Sequence, residues 1–80
     1  MITVEIKSEK NVDLSNAQVE IYCDSDGLAL LLKQISYLQS GSSHVHLMTP
    51  AWAGSELDEK KNGKETELIN HLKIIMLPKK

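Results

Sequence analysis

The chain has 80 residues, 41% hydrophobic and 25% charged, which excludes a disordered or fibrous protein and sets one domain with a thin core, burying about 60% of its unfolded surface. Its net charge is −2 with acids and bases interspersed, so no basic stripe exists for a phosphate backbone and nucleic acid is not an expected partner. A single cysteine, Cys23, excludes an internal disulfide, and the absence of a leader-like start or of an apolar run near the roughly 20 residues of a bilayer span leaves a cytoplasmic protein with no membrane partner as the expectation.

In chain order, Ile2, Val4 and Ile6 alternate with Thr3, Glu5 and Lys7, the pattern of a half-buried strand. Ser8 to Asn16, polar apart from Val12 and Leu14, turns the chain into a second alternation with Ala17, Val19, Ile21 and Cys23 inward against Gln18, Glu20 and Tyr22. The two strands form a hairpin with a long loop. Asp24, Ser25 and Asp26 supply N-capping oxygens for a helix of about four turns. Leu28, Leu31, Leu32, Ile35 and Leu38 make its apolar stripe, and Gly41 sits where a left-handed C-cap is wanted.

His44, His46 and Met48 alternate with Val45 and Leu47 in a third strand, which Pro50 ends because it has no amide hydrogen. Ser55 to Thr66, with Leu57 as its one large apolar residue, reads as an exposed excursion. Leu68 to Leu77 reads as a fourth strand with Leu72, Ile74 and Met76 inward and Ile69, His71, Lys73 and Ile75 opposite. A helix is the competing reading, but the β-branched isoleucines and Pro78 favour a strand. The expected fold is therefore α+β, a single small ββαββ domain whose four-stranded, mainly antiparallel sheet carries one helix on one face. The other face stays open, bearing Thr3, Glu5, Lys7, Gln18, Glu20, Tyr22, His44, His46, Met48, His71, Lys73 and Ile75.

The stretch HVHLMTPAWAG, residues 44–54, holds two of the three histidines and the only tryptophan. His44 and His46 could reach one metal ion, with His71 as a third ligand on a neighbouring strand; half-exposed strand histidines are the ordinary alternative, and a metal-free protein is expected. Cys23 on an inward face is an inert thiol. Glu5 and Glu20 on adjacent strands could be paired carboxylates, but without a pocket they read as a solvated face. Gly27 alone does not make a phosphate loop. Trp52 either folds over the sheet edge as core or stands out to anchor a partner. Tyr22 sits on the open face, while Tyr37 packs at the border of the helix stripe.

Three segments, VEIYCDSDGLALLLKQI from Val19 to Ile35, HVHLMTPAWAGSEL from His44 to Leu57 and LINHLKI from Leu68 to Ile74, resemble immunity protein 32, a family of small cytoplasmic antidotes to bacterial polymorphic toxins. The family pattern carries Trp-Gly-Gly where this chain has Trp52, Ala53 and Gly54. The resemblance implies a protein that binds and neutralises a cognate toxin protein by occlusion, with no catalysis and no cofactor. The family's characteristic positions fall on His44, His46, Trp52 and Gly54, and Tyr22 and His71 join them as partner-binding candidates from the open face. A small metal-binding protein or enzyme using His44, His46 and His71 is one alternative, and a homodimer that buries the open face against itself is the other.

Overall fold

The computed structural model describes residues 1–9 and 13–79. Part of the expected hairpin loop, residues 10–12 with Val12, and the final lysine lie outside the described residues. The elements are β1 (Ile2–Lys7), a 3-10 turn (Leu14–Asn16), β2 (Gln18–Cys23), α1 (Ser25–Gln39), β3 (His44–Met48), a 3-10 turn (Pro50–Trp52), β4 (Glu67–Ile69) and β5 (His71–Ile75). The α+β class and the single helix are those expected.

The sheet is not the single one expected. The strands form two antiparallel sheets, one in the order β2-β1-β4 and one pairing β3 with β5. The run expected as a fourth strand is divided at Asn70: its first part pairs with β1, Val4 opposite Ile69, and its second with β3, Met48 opposite His71. Asn70 belongs to neither ladder because it serves Thr49 instead. Its carbonyl accepts the Thr49 amide at 3.0 Å and its Oδ1 the Thr49 hydroxyl at 2.7 Å. The pleat changes phase across this break, so Ile69 packs on the core together with Leu72 and Ile74, against the expectation that placed Ile69 on the histidine face. Met76, expected inward, is exposed.

Helix α1 begins and ends as its sequence directs. The Asp24 carboxylate accepts the Gly27 amide at 2.8 Å, three residues into the helix. At the other end Gly41 has φ +113°, the Gly41 amide donates to the Leu38 carbonyl and the Ser42 amide to the Tyr37 carbonyl, a Schellman closure. Its rotation differs from the expected one. Gly27 lies so close to the start of β1 that a Cβ there would collide with the Met1 carbonyl oxygen. The buried side of the helix is therefore the side of Gly27, with Leu30, Leu31 and Leu38 on the core, while Leu28, Leu32 and Ile35 from the expected stripe are exposed, as is Tyr37.

The core gathers Ile2 and Val4 of β1, Leu38 of α1, Val45 and Leu47 of β3 and Leu57. Leu57 corrects the reading of 55–66 as an exposed excursion: its amide donates to the Met48 carbonyl, and the Asp58 amide donates to the Ile2 carbonyl, which stitches the two sheets together. The same segment then covers the polar face of β1. Thr3 and Glu5 are fully buried there rather than open to water. The apolar face of β2 has the opposite fate. Val19, Ile21 and Cys23, expected inward, are exposed, because α1 leaves β2 at Asp24 and packs over β3.

Candidate functional site

The β3–β5 register places His44 opposite Ile75, His46 opposite Lys73 and Met48 opposite His71. Opposed residues share a face, and the intervening Val45 and Leu47 are buried, so all three histidines project from the uncovered side. This part of the expected open face is present as read.

The rings form a row. His46 Nδ1 and His71 Nε2 are 2.7 Å apart, on rings stacked with centroids at 4.9 Å. His44 stands edge-on to His46 at 4.8 Å, and Trp52 tilts over His71 at 5.6 Å. Diagonal neighbours on an antiparallel pair lie within reach of such rings. A hydrogen bond between two imidazoles needs one N–H and one bare nitrogen, so this contact exists only while at least one ring is neutral. Burial keeps the His46 pKa below its ordinary value, and the neighbouring His44, His71 and Lys73 push in the same direction. Lys73 is the one fixed cation among the β3 and β5 positions, which include no carboxylate.

Trp52 is held out by its loop. The Trp52 and Gly54 amides both donate to the Thr49 carbonyl, and the Ala53 amide donates to the Pro50 carbonyl. The Ala51 amide donates to Glu59 Oε1 at 2.7 Å. Ala53 is left-handed at φ 65°. Gly54 has a packing role, since a Cβ there would lie 2.5 Å from the Met48 carbonyl oxygen. Of the two readings of Trp52, the structure places the ring at the surface, 55% exposed.

Tyr22 is not part of this row. It lies in the other sheet, its hydroxyl donating to Glu20 Oε1 at 2.7 Å and resting where a Cβ on Gly63 would stand at 2.7 Å. Of the six expected partner-binding residues, the structure thus brings His44, His46, His71 and Trp52 together, uses Gly54 to shape their loop and sets Tyr22 elsewhere.

The alternatives in chemistry have geometric tests. His46 and His71 turn a nitrogen toward each other and His44 Nδ1 pairs with the Ser43 hydroxyl at 3.0 Å; among the described residues no group of three or more His, Cys, Asp or Glu is arranged to hold a metal ion. Glu5 and Glu20 do face each other across β1 and β2. Burial raises the Glu5 pKa, but hydrogen bonds from the Thr3 and Thr66 hydroxyls and the Asn62 and Gly63 amides outweigh it and hold the group at about 2. A general acid requires the opposite shift and access to substrate, whereas Glu5 is ionised at neutral pH and 0% exposed. This buried carboxylate escaped sequence reading. The only trace of it is Thr3 and Glu5 sharing a face, with Asn62-Gly63 far downstream supplying donors.

No helix is long and apolar enough to cross a membrane among the described residues. No family model matches the chain, and no curated protein and no solved structure matches it.

Proposed function

We propose that this chain is an immunity protein that binds a cognate bacterial toxin domain in the cytoplasm and neutralises it by occlusion, without catalysis or a cofactor. The observation that carries the reading is the row of Trp52, His71, His46 and His44 on the uncovered side of β3 and β5. It is an aromatic and imidazole surface backed by a packed core, the kind of rigid anchor that dominates interface energetics. The exposed Trp52 beside the imidazole row supports a protein-binding face, and the toxin as its partner rests on the resemblance in Val19–Ile35, His44–Leu57 and Leu68–Ile74. An interface of standard size takes about 800 Å² from each partner, which engages most of one side of a domain this small.

Single alanine replacements of Trp52, His46 and His71, each checked for folding by circular dichroism, test the reading against the toxin domain encoded beside the gene. Trp52→Ala should lose more than about 2 kcal/mol of binding, while Lys33→Ala on the helix and Tyr22→Ala on the other sheet should lose almost none. Loss confined to the helix variant would place the binding surface on the other side. A wild-type chain that does not bind the toxin domain removes the immunity reading.

A further inference from the structure

The histidine face leaves β2 unexplained. This six-residue strand closes one edge of its sheet, and natural edges are blunted by proline, lysine, bulges or short length. QVEIYC has no proline or lysine, its register with β1 is unbroken, and its one charged side chain is Glu20. No further strand pairs with this edge among the described residues, and beside it stand Val19 and Ile21, 61% and 45% exposed.

We infer that β2 is the contact by which two copies of this chain pair, edge to edge and antiparallel, about a two-fold axis at Ile21. Antiparallel partners share a face, so a two-fold copy pairs residues of like parity. An axis at Ile21 sets Ile21 against Ile21, Val19 against Cys23 and Glu20 against Tyr22, the last two already acceptor and donor within one chain at 2.7 Å. Moving the axis to Glu20 opposes two glutamates, and moving it to Tyr22 opposes Glu20 to Asp24, both like-charge pairs. An axis at Val19 also avoids like charges, setting Gln18 against Glu20, but it engages only residues 18–20 of the strand, whereas the axis at Ile21 engages residues 19–23.

The overall surface supports a covered face. A compact monomer of 8.9 kDa exposes about 4,800 Å², whereas this chain exposes 6031 Å². Part of that excess belongs to the tail at Met76 and Leu77 and part to Val19 and Ile21 beside the β2 edge. The radius of gyration, 13.8 Å, likewise exceeds the about 12 Å expected of a compact chain of this length. The pairing edge lies on β2, away from the β3–β5 face, so this assembly does not depend on the immunity reading.

Sedimentation over a concentration series reaching about 100 µM should show a species of twice the chain mass. Ile21→Lys should weaken the dimer at least about 100-fold with an unchanged circular dichroism spectrum. In a Cys23→Ser background, Ile21→Cys should form an intermolecular disulfide under mild oxidation. Cys23 in the wild type should not, because its counterpart stands four residues along, about 13 Å away. If the lysine variant unfolds, the crosslink yield decides. A wild type that stays monomeric, a dimer indifferent to Ile21→Lys, or crosslinking at Cys23 in place of position 21 would each overturn the inference.

Discussion

The two sheets dispose of their faces in opposite ways. β3 and β5 put Val45, Leu47, Leu72 and Ile74 on the core and leave the half-buried His46 and His71, with exposed His44 and Lys73, on the uncovered side. The β2-β1-β4 sheet covers its polar face, burying Thr3 and Glu5 under the 62–66 segment, and leaves Val19 and Ile21 of β2 exposed. Both sheets alternate equally well in sequence. Alternation therefore reports which residues share a face, while the element that arrives to cover a face decides which one is inside.

The sharpest way to break this comparison is to truncate one leucine on a covered face and one on an uncovered face. Leu47→Ala, at 0% exposure, should cost about 3–5 kcal/mol in urea unfolding. Leu32→Ala, at 58% exposure, should cost under about 1 kcal/mol. Equal losses would mean that α1 is rotated back toward the stripe of Leu28, Leu32 and Ile35.

Acid separates the sheets by the groups they hold. Glu5→Gln should cost roughly 1–3 kcal/mol at neutral pH, since four donors lose an ionised acceptor. Because the Glu5 pKa falls from 4.5 unfolded to about 2 folded, its contribution is present above pH 4.5 and is lost as pH drops toward 2. The wild-type and Glu5→Gln stability curves should converge over that window. His46 acts higher. Its folded pKa lies below the ordinary 6.5, so the unfolded chain takes up protons first and stability starts to fall as pH drops below 6.5, a slope that His46→Phe should flatten. A single acid step, untouched by either substitution, would deny that the two sheets titrate independently.

The smallest expected effect sharpens the Trp52 loop. Ala53 is left-handed at φ 65°, a conformation that costs an L-residue about 1–2 kcal/mol and glycine little. After the extra unfolded-state freedom of glycine is subtracted, Ala53→Gly should stabilise by about 0.5–1 kcal/mol in thermal or urea melts. A destabilised variant would show that the loop is held in another conformation.

Local physics is written in the sequence, and those readings stand. The strand alternations of β1, β2 and β3, the Asp24 N-cap, the Gly41 closure and the stop at Pro50 each need only neighbouring residues. The same period placed His44, His46 and His71 on one face, because β3 and β5 are regular where those residues sit. What the chain could not disclose alone depends on partners distant in sequence. Gly27 meets β1 and thereby turns α1 away from Leu32. Asn70 bonds to Thr49 and divides one apparent strand between two sheets. Asn62, Gly63 and Thr66 return to Glu5 from far along the chain, with separations of 57, 58 and 61 residues. No local pattern specifies such long-range contacts, because a buried carboxylate and a solvated one occupy the same position in an alternating strand. Only the donors that close over Glu5 tell the two apart.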